Sequence, residues 1–157
     1  SYFGDLDFLF LDLPPGTGDI AISVGQLLPH AEILVVTTPQ PSASDVAWRS
    51  GDVARQTGQR VVGVIENMSG VTLADGTRLD VFGSGGGQVV ADRLQVPLLG
   101  SLPLSPNLRE AGDEGTPLVI ADPDNAVSKH LREIAQKIVR SGPSKVGKKL
   151  PVSQKIS

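Results

Sequence analysis

The 157-residue sequence contains no cysteine. That excludes a disulfide framework, and it excludes an iron–sulfur cluster held by this chain's own thiolates. It also suits a cytoplasmic protein, where disulfides are rare. Long apolar runs are missing as well: none approaches the roughly 20 residues that a membrane-spanning helix needs, and no secretory leader is visible. Internal repeats and low-complexity tracts are absent. So is any Gly-x-x-x-x-Gly-Lys-Ser/Thr stretch, the loop whose backbone and lysine cradle nucleotide phosphates. Excess positive charge is lacking too. The net charge is −3, with 14 basic and 17 acidic residues, which argues against general nucleic-acid binding. The two histidines, His30 and His130, have no partners at metal-ligand spacing and read as surface residues. No Ser/His/Asp grouping or carboxylate pair stands out.

What is present fits a piece of one α/β domain. Apolar content of 39% with 18 glycines and 12 prolines describes a folded chain punctuated by loops. The most informative stretch is Asp5–Asp19. Phe8, Leu9, Phe10 and Leu11 form an apolar run that ends in Asp12 and stops at Pro14-Pro15. Such a run predicts a strand buried on both faces, as in a parallel sheet. Its terminal carboxylate then sits at the strand's C-terminal end, where open α/β sheets bind ligands. This matches the Walker B arrangement, in which an aspartate holds Mg²⁺ beside nucleotide phosphates. An aspartate that merely closes a turn is the other reading, and the extension Asp12-Leu13-Pro14-Pro15-Gly16-Thr17-Gly18-Asp19 favours the first. Gly16-Thr17-Gly18 supplies a turn, and Asp19 is placed to cap a helix starting at Ile20.

Strand and helix signals alternate from there. Ile20, Val24, Leu27 and Leu28 have the spacing of one buried helical face. Ile33–Val36 predicts a second fully buried strand, and Ser42 or Ser44 can cap a helix that Gly58 ends. Trp48 lies in that helix and reads as packing. Val61–Ile65 predicts a third strand, and Asp75-Gly76 a short hairpin with a type I′ turn. A helix marked by Val89, Val90, Ala91 and Leu94 leads to a fourth strand, Leu98–Leu102. Helices near 106–112 and 124–140 follow, the last with Val127, Leu131, Ile134, Ala135 and Ile138 as its buried stripe. The expectation is a mostly parallel sheet with flanking helices. Residues 141–157 hold Lys145, Lys148, Lys149 and Lys155 and no acidic residue. Setting those four aside lowers the net charge from −3 to −7 for the body. Pro143, Gly147 and Pro151 break helical period there, which predicts a disordered basic tail after a domain spanning 1–140.

Several blocks together resemble one family. They are Leu11-Asp12-Leu13-Pro14-Pro15-Gly16-Thr17-Gly18-Asp19, Thr37-Thr38-Pro39-Gln40, Glu66-Asn67-Met68-Ser69, Phe82–Gly87, Leu102-Pro103-Leu104 and Gly112–Pro117. In this order they resemble the Mrp/ApbC branch of the MinD/ParA-like P-loop ATPases, which have a deviant Walker A loop. The resemblance implies a partial P-loop NTPase domain: the C-terminal portion, opening at the Walker B strand. It implies ATP and Mg²⁺ as cofactors and a role in iron–sulfur cluster assembly or transfer. The family's usual Cys-x-x-Cys pair between the Asn-Met-Ser and Phe-Gly blocks is replaced by Val71–Thr77. The alternative is a MinD/ParA-like switch that dimerises with nucleotide and positions a partner without a cluster.

The same resemblance implies roles for single residues. Asp12 holds Mg²⁺ through a water, and Gly16 senses the γ-phosphate. Asn67 reads the adenine edge, while Pro103 and Leu104 pack beside the base. Asn67 is otherwise a turn residue after a strand, and Pro103 a loop residue. Ser42 and Asp45 resemble a second nucleotide-responsive segment but equally suit a helix start. Gly85-Gly86-Gly87 reads as a flexible helix entry, with contact to a partner the other role. Implied partners are a second copy and iron–sulfur apo-proteins or cluster-assembly proteins; neither nucleic acid nor membrane is among them. The strand carrying the phosphate loop belongs between Phe8–Asp12 and Ile33–Thr37, so those two are not expected to pair directly.

Overall fold

The computed structural model describes residues 4–14, 18–73 and 75–142. Three strands form a parallel sheet: β1 (Glu32–Thr37), β2 (Arg60–Glu66) and β5 (Leu98–Ser101), in the order β1-β2-β5. Their side chains face two apolar layers, with the alternation of β2 interrupted between Val61 and Gly63, where its register against β1 shifts. On one face, α2 (Pro41–Gln56) and α3 (Gly86–Leu94) enclose Val35, Ala47, Ala54, Val61, Val64, Val90, Ala91 and Leu94. On the other, α4 (Pro106–Asp113), α5 (Leu118–Ala121) and α6 (Ala126–Ser141) cover Leu99, Leu102, Ala111, Leu118, Val127 and Ile134. The remaining elements are α1 (Asp19–Leu27) and a hairpin of β3 (Val71–Thr72) with β4 (Arg78–Leu79).

Local chemistry sets the element ends. Pro41 and Pro106 sit in the first turns of α2 and α4, where a missing N–H costs nothing. The Ser105 hydroxyl accepts from Leu108 N at 3.2 Å, and Asn125 Oδ1 accepts from Val127 N at 3.0 Å. Glycine allows close approach between layers. A Cβ on Gly51 would lie 2.6 Å from the Leu94 side chain, and one on Gly100 would lie 2.7 Å from Ile134. No described helix is long and apolar enough to cross a membrane.

Strands β1, β2 and β5 and helices α2, α3, α4 and α6 fall where periodicity places them. The first forty residues differ in several ways. Residues 8–12 are not a strand, and Phe10 is 70% exposed. An apolar run states what a segment can bury, not what it can pair with. On the side of β1 away from β2, no described strand continues the sheet. No ladder joins 8–12 to 33–37; because 8–12 forms no strand, the expected strand order is not tested by these residues. For the same reason Val36 is 60% exposed and β1 is buried only in part.

Helix α1 forms, but Ile20, Leu27 and Leu28 are exposed and Gly25 is its buried residue. Gly18, not Asp19, is its cap, and Gln40 rather than a serine precedes α2. Ala135 is exposed on α6, and the short helix α5 has no counterpart in the periodicity. The hairpin turn is longer than the two-residue type I′ turn that Asp75-Gly76 predicts. Gly76 N donates to Leu73 O and Leu73 N to Thr77 O, both at 2.9 Å, and Gly76 takes a left-handed φ of 85°. Three residues thus lie between Leu73 and Thr77, the loop length that ends in a left-handed glycine. The tail beyond Gly142 lies outside the described residues.

Leu94 is the largest fully buried side chain among the described residues and bridges α3, α2 and the sheet. Leu94→Ala should cost about 2–5 kcal/mol, because the surrounding layers cannot close on the space left. Urea unfolding followed by circular dichroism measures it.

Candidate functional site

The parallel register brings the C-terminal ends of all three strands to one edge. Thr37 pairs with Glu66, and Glu66 with Ser101. The turns beyond them are laced by backbone hydrogen bonds. Asn67 N donates to Thr37 O at 2.7 Å, Leu102 N to Glu66 O at 2.7 Å and Ser69 N to Leu102 O at 2.9 Å. Leu104 N reaches Gly70 O at 2.7 Å. Asn67 and the Leu102–Leu104 segment are therefore one rigid unit.

The Asn67 side chain is half-buried, and its Oδ1 accepts from Met68 N at 2.9 Å. That bond orients the carboxamide. Among the described residues its Nδ2 donates to none, so a donor and a second acceptor lone pair remain for a ligand edge. Met68 follows with φ of 57°, in the left-handed region that non-glycine residues rarely adopt. Backbone strain of this kind clusters at ligand sites. Pro103 and Leu104 are half-buried beside it.

Glu66 is the buried charge of the site, at 5% exposure. Its Oε2 accepts from Gly87 N at 2.7 Å. Helix α3 has no side-chain cap from its own N-cap residue, so this carboxylate supplies one against the positive end of the helix dipole. Gly86 and Gly87 are themselves buried. A Cβ on Gly87 would lie 2.6 Å from Glu66 Cβ, and one on Gly86 would lie 2.5 Å from Pro39 O and from Ser44 Oγ. Gly86 and Gly87 thus serve close packing onto the ends of β1 and β2, which corrects the flexible-entry reading for these two, while Gly85 is exposed at a left-handed φ of 79° as the helix entry.

A groove of about 470 Å³ runs along β1 on the side away from β2. Its walls include Leu13, Pro14, Ala21, Val36, Val46 and Asn67. Gln59 lines it too and is 6% exposed, yet its Nε2 has no partner among the described residues. Asp12 is exposed beside this groove, next to Leu13. Gly16 lies outside the described residues. In the segment after β1, Thr38 Oγ1 donates to Gln40 Oε1 at 2.8 Å and Ser44 Oγ to Gln40 O at 3.1 Å. Ser42 is exposed, and Asp45 forms a 2.9 Å ion pair with Arg93, whose guanidinium stacks 4.0 Å over Trp48.

The structure gathers Asn67, Pro103 and Leu104 at one edge, with Leu13 and Pro14 carrying the chain from Asp12 past it. Sequence reasoning passes over Glu66, Gln59 and Met68. A lone carboxylate closing the apolar run Val61–Ile65 is the available signal for Glu66. One further stretch, Gly142–Lys149, has the glycine and lysine spacing of a phosphate loop. It ends in Lys149 where that loop needs Ser or Thr, and it follows helix α6, not a strand. His30 and His130 are exposed, and no described group of three His, Asp or Glu could hold a metal. With no cysteine besides, the residues present do not fit an iron–sulfur cluster.

A parallel sheet with helices on both faces and turn residues gathered at the strands' C-terminal edge defines a doubly wound α/β domain. The family model for the ParA group, NUBPL iron-transfer P-loop NTPase, matches residues 1–139, and the chain belongs to that family. A Mycobacterium tuberculosis protein named iron-sulfur cluster carrier protein is 62% identical over 140 residues, covering 85% of this chain and 37% of that protein. The chain therefore spans little more than a third of that relative's length. Among solved structures, a nucleotide-binding protein from Archaeoglobus fulgidus in complex with ADP superposes with a TM-score of 0.64 at 30% identity, over 78% of this chain and 49% of that one. The cell division ATPase MinD of Pyrococcus furiosus gives 0.56 at 26% identity, over 69% and 42%.

The hairpin between Ser69 and Gly83 carries its own titration marker. The Thr77 backbone N–H donates to Asp75 Oδ1 at 2.8 Å, which with the Thr77 hydroxyl lowers the Asp75 pKa below its ordinary 3.8. A lowered carboxylate pKa stabilises the fold above the ordinary value, and that support is lost as pH falls through the folded one. The Thr77 amide resonance should therefore titrate with a midpoint below 3.8, and Asp75→Asn should remove that step.

Proposed function

We propose that this chain forms the base-binding and Mg²⁺-contacting part of an ATPase that serves iron–sulfur cluster assembly or transfer. The observation that carries the reading is the rigid edge formed by Asn67 and Leu102–Leu104 on a sheet of the P-loop NTPase type. Asn67 donates from Nδ2 and accepts at Oδ1 along the adenine edge. Pro103 and Leu104 present half-buried apolar surface to the face of the base. Asp12, exposed where the chain passes this edge, holds the Mg²⁺ that accompanies the phosphates, and Gly16 reports the γ-phosphate. ATP and Mg²⁺ supply the phosphoryl chemistry when bound.

The phosphate cradle comes from outside these residues, on a strand that runs between 8–12 and β1. The side of β1 away from β2, the apolar groove and the unpartnered Gln59 amide support that placement. A strand there satisfies the β1 backbone and covers Val36. The cluster is cargo, and its ligands come from elsewhere, because the chain has no thiolate. The protein works as a homodimer that hands clusters to apo-protein partners. The cysteine-free sequence gives some support to a MinD-like switch without a cluster, but the carrier names of its relatives weigh against it.

Three measurements test this reading. The 157-residue chain alone should not hydrolyse ATP, since lysine or arginine contacts to the phosphates are worth roughly 10³-fold or more in rate; turnover at the full-length rate contradicts it. In the full-length polypeptide carrying this chain, Asp12→Asn should abolish most Mg²⁺-dependent hydrolysis while leaving the melting temperature unchanged. The amide keeps the shape and removes the charge a hard cation needs. Anaerobic reconstitution of that polypeptide, with iron and sulfide counted, separates carrier from switch.

A further inference from the structure

The buried carboxylate of Glu66 is more than a helix cap, because of where its own backbone lies. The Glu66 carbonyl accepts from Leu102 N at 2.7 Å. The next residue, Asn67, is tied to Thr37 O at 2.7 Å. In the sheet register, Glu66 pairs with Thr37 on one side and Ser101 on the other. Its side chain accepts from Gly87 N at 2.7 Å. Strand β1, strand β5 with its Leu102–Leu104 extension, and helix α3 therefore all meet at this residue. The segment from Asn67 to Gly86, which carries the hairpin, leaves and returns at the two ends of this one bond.

We propose that Glu66 is a positioning residue for base recognition, holding Asn67 and Leu102–Leu104 in register by anchoring their junction to the N-terminus of α3. The proposal rests on the nucleotide reading above. Three properties set it apart from ordinary packing. A carboxylate at 5% exposure is costly unless paired, so its presence at the strand end calls for a fixed geometry. The partner is a backbone N–H, which cannot swing away as a side chain can. Gly87 has no room for a side chain against Glu66, so the distance between α3 and β2 is set from both sides. Gly86 extends the same joint to Pro39 and Ser44 of the segment after β1.

A base reader that must place one donor and one acceptor on adenine depends on that register. Guanine presents an oxygen where adenine presents an amino group, so a displaced carboxamide loses selectivity as well as affinity. A residue that only stabilised the fold would lower the melting temperature and leave the preference of the folded molecules unchanged.

The test uses the full-length polypeptide carrying this chain and measures ATP and GTP affinity by calorimetry for wild type, Glu66→Gln, Glu66→Ala and Gly87→Ala. Glu66→Ala should weaken ATP about tenfold, the equivalent of one lost net hydrogen bond, with GTP changed less. The ATP-over-GTP ratio should therefore fall. Glu66→Gln, which retains an oxygen acceptor for Gly87 N, should recover most of it. Gly87→Ala pushes on the same contact from the α3 side and should lower the ratio as Glu66→Ala does, which keeps the test decisive if Glu66→Ala fails to fold. An unchanged ratio in folded Glu66→Ala or in Gly87→Ala overturns the positioning role. Failure of the wild type to bind ATP overturns the nucleotide reading instead, so the two are told apart.

Discussion

Everything at the candidate site depends on the parallel register that sets Thr37, Glu66 and Ser101 side by side. Parallel strands end together, so three turns distant in sequence leave the sheet at one edge. The bonds from Asn67 to Thr37 and from Leu102 to Glu66 continue the ladder one residue past the strands. That small extension turns loop residues into fixed ones. Helix α3 then locks the arrangement through the Glu66–Gly87 bond, and the two apolar layers hold the sheet that carries it.

The same sheet explains what is unusual in the first forty residues. A parallel strand covered on both faces calls for a neighbour on each side, and among the described residues β1 has one. Phe8–Leu11, Ile20, Leu27 and Val36 are all exposed. These apolar residues carry the sequence pattern of a buried core without a described strand that buries them. Exposed apolar surface on this scale marks an interface.

Legibility follows the same division. Strands β2 and β5 and helices α2, α3, α4 and α6 are readable because each has partners within the chain, so periodicity and burial largely agree. The four-residue α5 is too short to show a period, and β1 lacks a described neighbour over Val36. For Phe8–Asp12 and α1 the pattern predicts burial that the structure does not show, because periodicity carries no information about the neighbour. Asn67, Pro103 and Leu104 are reached through the resemblance and not through their chemistry, since an Asn or Pro after a strand is an ordinary turn residue. Glu66 escapes sequence reasoning because its role depends on a glycine twenty-one residues away, a pairing that no local pattern encodes. The glycine run suggests flexibility, whereas Gly86 and Gly87 are there because nothing larger fits.

The central claim is that adenine is read at the edge formed by Asn67 and Leu102–Leu104. Photolabelling the full-length polypeptide with 2-azido-ATP and mapping the modified peptide by mass spectrometry tests it most directly. Label on residues 67–69 or 102–104, displaced by excess ATP, is the predicted result. Displaceable label confined to another part of the molecule, with none at these positions, would contradict it.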